Sequence, residues 1–171
     1  MDERNNLQEF VITRVFDAPR DLVWKAFTEP QRLKEWWGPK GATVIESKMD
    51  LRPGGSYHYA MRTSDGNTMW GKFVYREITP PSRMVFVNSF SDEAGGVTHH
   101  PMAPTWPLEM LSIFSFEEEG EKTRFTVRWS PLNATEEERA TFAAGHGSMQ
   151  QGWGGTLDKF AAYLAKAAQA A

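Results

Sequence analysis

Residues Thr135–Ala168, TEEERATFAAGHGSMQQGWGGTLDKFAAYLAKAA, decide the fold. Thr135 and Glu138 have the spacing of a capping box, and Phe142, His146, Met149, Trp153, Leu157, Phe160, Leu164 and Ala167 then recur at helical intervals. One face of this helix must be buried. The opposite face carries Glu136, Glu137, Arg139, Gln150, Gln151, Asp158, Lys159 and Lys166, with acids early and lysines late, as the helix dipole favours. Gly145, Gly147, Gly152, Gly154 and Gly155 crowd the middle, each costing roughly 1 kcal/mol relative to alanine. The pairs Gly145/Gly152 and Gly147/Gly154 are one heptad apart and share faces, a pattern that implies a close neighbouring backbone or space left beside the helix. Unbroken, the helix would run to about 50 Å, longer than a small domain is wide, so a bend or break is expected near Gly145 to Gly147.

Upstream, the hydrophobic period is mostly two. Phe10 to Phe16 alternates as a first strand and ends at Asp17-Ala18-Pro19, where Asp17 or Ala18 is expected to cap a short helix with Pro19 at its first position. Leu22, Val23, Ala26 and Phe27 give that helix an apolar face. Pro30 opens a second, with Leu33, Trp36 and Trp37 on its apolar side before Gly38-Pro39. Strands are expected over Thr43 to Leu51, Ser56 to Arg62, Thr68 to Ile78, Arg83 to Phe90, Pro107 to Glu117 and Thr123 to Ser130. Pro53-Gly54-Gly55, Ser64-Asp65-Gly66-Asn67, Thr79-Pro80-Pro81 and Glu118-Glu119-Gly120-Glu121 supply the turns. Ser91 to Trp106 is the longest irregular segment, of the kind that forms lids or mobile surface loops. A seven-stranded antiparallel sheet with one apolar face can bury it only against the long helix, so the sheet must curl around that helix.

At 171 residues the chain is expected to be one α+β domain over 1–171, with an ordered core of about 10–166. It has no cysteine, which excludes disulfides, thiolate metal sites and a cysteine nucleophile. A net charge of -3 argues against a nucleic-acid groove, and no apolar run approaches the roughly 20 residues that span a bilayer. The polar N-terminal stretch has no signal-like core, and a cytoplasmic location is expected. The notable excess is aromatic, with seven Trp, eleven Phe and four Tyr, plus eight Met. Such side chains fill large cores and also line apolar pockets. The same surplus is compatible with a homodimer.

This order of elements resembles the helix-grip fold of the START-like superfamily (SRPBCC). Asp17-Ala18-Pro19, Trp24-Lys25-Ala26-Phe27-Thr28-Glu29-Pro30, Trp36-Trp37-Gly38-Pro39, Asp50-Leu51-Arg52-Pro53-Gly54-Gly55, Gly71 with Thr79-Pro80-Pro81, and Gly152-Trp153 are similar to motifs in homologues of the C-terminal domain of the activator of the heat-shock-protein-90 ATPase. The resemblance spans about Phe10 to Leu164. It implies a curved sheet gripping a long helix, with a cavity between them. Members of the superfamily bind lipids, sterols, hormones and polyketides, act as aromatases or cyclases, or serve as co-chaperone domains. The chain is expected to lack the co-chaperone's separate N-terminal domain, so ATPase activation is not carried over.

The pattern and the resemblance together nominate a hydrophobic cavity for a small hydrophobic or aromatic ligand. Its candidate walls are Trp36 and Trp37 at one mouth, Tyr57, Tyr59 and Met61 on one strand, Phe73, Phe86, Met110 and Phe114 on others, and His146, Met149 and Trp153 on the helix. His146, among Phe142, Met149 and Trp153, is the candidate acid/base group. The pair His99-His100 lacks a spaced carboxylate partner and reads as loop rather than metal site. The sequence has no nucleophile elbow, phosphate loop, dinucleotide fingerprint or zinc-protease motif, so no cofactor or metal is expected. Three readings remain open: a ligand carrier, a cyclase- or hydrolase-like enzyme using pocket residues, and a chaperone-linked interaction module.

Overall fold

The computed structural model describes residues 9–38, 40–99 and 103–170. Strand β1 (Phe10–Phe16) is followed by helices α1 (Arg20–Thr28) and α2 (Pro30–Leu33), then by β2 (Thr43–Met49), β3 (Ser56–Arg62), β4 (Thr68–Thr79), β5 (Arg83–Ser91), β6 (Val97–Thr98), β7 (Glu109–Glu119) and β8 (Lys122–Leu132). Helices α3 (Glu136–Ala144) and α4 (His146–Ala170) complete the chain. The sheet order is β1-β8-β7-β5-β4-β3-β2, with every pairing antiparallel. This is the curved antiparallel sheet around a long C-terminal helix that defines the helix-grip fold. No helix among the described residues is long and apolar enough to cross a membrane.

Each strand of this sheet turns one parity inward. Phe10, Ile12 and Phe16 are buried while Val11 is 43% exposed, and Met110, Ser112, Phe114 and Phe116 are buried while their neighbours are only partly so. Gly66 and Gly120 take φ of 87° and 66° in the hairpin turns before β4 and β8, where a side chain would be strained. Register shifts between Val44 and Glu46 and between Tyr75 and Glu77 bend β2 and β4, which deepens the curl. The Ser91 to Trp106 segment is less irregular than its composition suggests. Ser91 pairs with Val97 and Phe90 with Thr98 across a turn that the Asp92 carboxylate closes by accepting from Gly96 N. Pro39, His100, Pro101 and Met102 lie outside the described residues.

Two local expectations change. Pro19 is the cap residue of α1 rather than its first residue, and its carbonyl accepts from Leu22 N and Val23 N with no side-chain cap from Asp17 or Ala18. Lys159, placed on the outer face of the long helix, is half-buried and donates to the carbonyls of Gly38 and Ala42 at 3.3 and 3.2 Å. The capping box is present, with Thr135 Oγ1 accepting from Glu138 N and Glu138 Oε1 accepting from Thr135 N. The long helical stretch breaks at Gly145, which has φ -91° and ψ 4° and donates to Thr141 and Phe142 carbonyls before α4 restarts.

The solid core lies beside the C-terminal half of α4. Phe160 stacks on Trp36 with centroids 4.1 Å apart, and meets Phe16 and Phe27 edge-on at 4.8 and 5.1 Å. Phe27 in turn stacks on Phe125 of β8, so α1, the turn after α2, α4 and the sheet share one aromatic cluster. Phe160→Ala removes the ring at the centre of this cluster and should lower unfolding free energy by about 3–5 kcal/mol. Val11→Thr, on the outer face, should change it by less than about 0.5 kcal/mol. Urea unfolding of both variants checks this, and equal losses would refute the assignment of inside and outside.

Tyr57, Tyr59 and Tyr75 are inward phenols of β3 and β4. Burial pushes Tyr59 up to about 12. Burial also raises Tyr57 and Tyr75, and for Tyr57 the neighbouring Tyr59 and Tyr75 hydroxyls add to the rise. Above about pH 10 an unfolded chain releases phenolic protons that the folded state retains. The unfolded state then binds fewer protons, and stability falls as pH rises. The melting temperature should hold steady up to about pH 10 and drop beyond it, with a shallower drop in Tyr57→Phe. Identical alkaline profiles for the two proteins would contradict this.

Candidate functional site

Away from the aromatic cluster the helix and sheet separate. A cavity of about 520 Å3 lies between the N-terminal half of α4 and the concave face of β3, β4, β5, β7 and β8. Its roof is Gly145, Ser148, Met149, Gly152, Trp153 and Thr156. Gly145 and Gly152, one heptad apart, both face it, and a side chain at Gly152 would meet nothing within 4 Å. Gly152 therefore leaves open space beside the helix, whereas a Cβ at Gly145 would press on the Thr141 carbonyl and the Trp106 ring at 3.3 and 3.4 Å. Gly147 and Gly154 also have nothing within 4 Å but do not line the cavity.

The floor follows from strand register. Tyr59 faces Gly71 on β4, and Gly71 faces Phe90 on β5. A Cβ at Gly71 would fall 2.4 Å from the Tyr59 ring, so glycine is what lets the phenol lie flat across β4. One residue pair along, Phe73 faces Asn88 and Asn88 faces Met110. Trp153 hangs from the roof edge-on to Trp37, Phe114 and Trp129, at 5.9, 5.9 and 5.6 Å. Trp106 closes one end by packing on Phe142 at 5.7 Å.

Of the residues nominated from sequence, Trp37, Tyr59, Met61, Met110, Met149 and Trp153 come together on this wall. Trp36, Tyr57, Phe73, Phe86, Phe114 and His146 do not. Trp36, expected at the mouth, is wholly buried against Phe160 and donates Nε1 to the Ala26 carbonyl at 3.2 Å. Tyr57, Phe73, Phe86 and Phe114 point inward as expected but pack on one another and on the Trp rings, as at the 4.3 Å stack of Phe73 on Phe86. His146 starts α4 between Phe10 and Phe142, with its Nε2 buried and unpartnered, and is off the cavity wall. The lining also includes Met69, Asn88, Phe90, Trp106 and Trp129, which the sequence pattern did not single out.

The wall has no Asp, Glu, Lys, Arg or His among its described residues. Some of its polar groups are held by the protein. Thr156 Oγ1 lies within hydrogen-bond distance of the Gly152 and Gly38 carbonyls, and Thr141 Oγ1 within that of the Glu137 carbonyl and Thr105 Oγ1. The Trp37 Nε1 donor is buried without a hydrogen-bond partner. Among the described residues no three His, Cys, Asp or Glu side chains gather as a metal site; His99 is exposed, and His100 is outside the described residues.

Solved structures of the same shape exist in several bacteria. A protein from Arthrobacter aurescens is 25% identical, with 96% of this chain and 90% of that chain covered and a TM-score of 0.77. Protein Ms6760 from Mycobacterium smegmatis is 24% identical over 94% of this chain and 92% of that one, with a TM-score of 0.75. The AHSA1 protein from Silicibacter pomeroyi is 21% identical over 92% and 97%, with a TM-score of 0.68. No curated protein matches the sequence. The model of the family described as Activator of Hsp90 ATPase homolog 1-like protein matches residues 17–165. Strand order, helical grip and family model agree, and the chain belongs to the Activator of Hsp90 ATPase homolog 1-like family of the SRPBCC superfamily.

Proposed function

We propose that the protein binds a small, uncharged hydrophobic or aromatic molecule in the cavity between the sheet and α4. The observation that carries this reading is the wall itself. Its volume of about 520 Å3 falls in the range of small-molecule sites. Four of the chain's seven tryptophans, Trp37, Trp106, Trp129 and Trp153, line it together with Met61, Met69, Met110 and Met149, while the Trp70 ring stacks on His58 on the other face of the sheet. Flat rings and flexible thioethers make walls that adapt to a planar guest. An ionic guest would lose its hydration without gaining a countercharge, which selects for neutral molecules.

Chemistry on such a guest has little support from the wall. The Tyr59 phenol, raised to about 12, stays protonated at neutral pH and acts as a donor rather than a base. His146 lies off the wall, between two phenylalanine rings. The chaperone-linked reading has the family description in its favour, whereas the binding reading has this cavity.

N-phenyl-1-naphthylamine is a neutral probe whose absorption overlaps tryptophan emission. It should bind one to one, quench the tryptophans by energy transfer, and keep its affinity between about pH 5 and pH 9, since no wall group titrates there. Gly152→Leu should fill the roof and weaken the probe at least about tenfold, while better helix propensity raises stability by about 0.5–1 kcal/mol. A stabilised Gly152→Leu protein that binds the probe as tightly as before would place the probe elsewhere. Native mass spectrometry of gently purified protein, before and after organic extraction, then reports the mass of any retained natural ligand.

A further inference from the structure

We propose that Asn88 is the polar anchor of this cavity, its Nδ2 donating to a carbonyl oxygen on a flat, uncharged aromatic guest. This rests on the cavity being a ligand site, and it names the chemistry of the ligand. On β5 and β7 the inward positions run Met84, Phe86, Asn88, Phe90 and Met110, Ser112, Phe114, Phe116. Asn88 and Ser112 are the two interruptions in an otherwise apolar surface. Asn88 lies on the cavity wall, while Ser112 is wholly buried behind it.

A short relay fixes which way the Asn88 amide faces. The Trp129 indole nitrogen can only donate, and it does so to Ser112 Oγ at 2.6 Å. The Ser112 proton must go to an acceptor, and among the described residues that acceptor is Asn88 Oδ1. The amide oxygen is therefore committed to Ser112. Its NH2 faces the other way, and no described residue accepts from it. A donor held in one orientation by a buried relay costs a ligand little to organise.

The complement of that donor is a neutral oxygen. An ammonium finds no countercharge here, and a carboxylate would meet one amide in a wall without cations. The rings of Trp37 and Trp129 stand edge-on to Trp153, at interplanar angles of 70° and 79°, and all three line the same cavity as Asn88, a wall suited to the area of a flat aromatic guest. An aryl ketone meets these conditions, and its hydrocarbon analogue meets all but one.

9-Fluorenone and fluorene share one shape and differ by the carbonyl. Their affinities for the wild-type protein, N88L and N88D, measured by tryptophan quenching, test the assignment. N88L removes the donor, and N88D removes it in the ionised form, which the carboxylate stretch verifies in the same infrared spectra, while still accepting from Ser112. Both variants should lose about tenfold in affinity for fluorenone and change by less than about twofold for fluorene. The ketone stretch should shift to lower frequency on binding wild type and return towards its free position in N88D. Fluorene binding also reports whether the cavity is intact; if N88L collapses it, N88D decides. Fluorenone held equally well by wild type and N88D, with an unshifted carbonyl, would overturn the anchor and leave the cavity reading standing. Failure of wild type to bind either probe would overturn both.

Discussion

The stack of Phe160 on Trp36 sets how far α4 stands from the sheet, and the rest of the structure depends on that spacing. Phe160 comes from the long helix, Trp36 from the turn after α2, Phe27 from α1, and Phe16 and Phe125 from neighbouring strands at one edge of the sheet. Five rings from five segments meet at one end, and interiors this dense do not compress. The helix is thus fixed like a lever clamped at its C-terminal half. Its N-terminal half extends over the middle of the concave sheet at a height that the clamp determines. There Gly152 interrupts the bulky stripe, and a Cβ at that position would meet nothing within 4 Å. The cavity is what remains when a helix of uneven thickness is held at one height.

That view explains what was legible in the sequence. Helix and strand periods are local, so the sheet, the two short helices, the capping box and the break near Gly145 could all be read from residue spacing. The direction of each side chain was legible too. Tyr57, Tyr59, Phe73, Phe86 and Phe114 share the concave face because strand parity puts them there. Whether an inward residue meets the helix, another ring or open space depends on its distance from the clamp along the curled sheet. Tyr57 and Tyr59 show this most sharply. They are two residues apart on β3 with rings 5.1 Å apart, yet only Tyr59 reaches the wall. That distance is set by the register of seven strands and the bulges in β2 and β4, none of which is a property of a single stretch.

The residues overlooked failed for other reasons. Asn88 follows the apolar run Met84 to Val87 and reads locally as the end of the buried part of β5. Its inward position matters only because Met110 and Phe73 flank it in register. Trp106 lies in a segment with no period to read. Trp129 sits near the end of β8, where pairing with Phe10 of the first strand brings it back to the sheet's inner surface. His146 failed in the opposite sense. An unbroken helical phase through Gly145 puts His146 on the buried stripe, and with the break there the imidazole packs on Phe10, off the cavity wall.

Composition also overstates how polar the wall is. Thr141 and Thr156 contribute methyl groups to a guest, because their hydroxyls are engaged with carbonyls of the preceding helical turn. The Ser112 hydroxyl is consumed between Trp129 and Asn88. Hydroxyls bound in this way cannot turn to suit a ligand, so a wall that counts several polar residues offers few free donors. Affinity in such a site comes from ring area, and discrimination comes from the few polar atoms still unpaired. A glycine-thinned helix over an aromatic floor sets the size and flatness of what enters. The fixed orientation of one amide then separates molecules of the same shape by whether they carry an oxygen at the right edge.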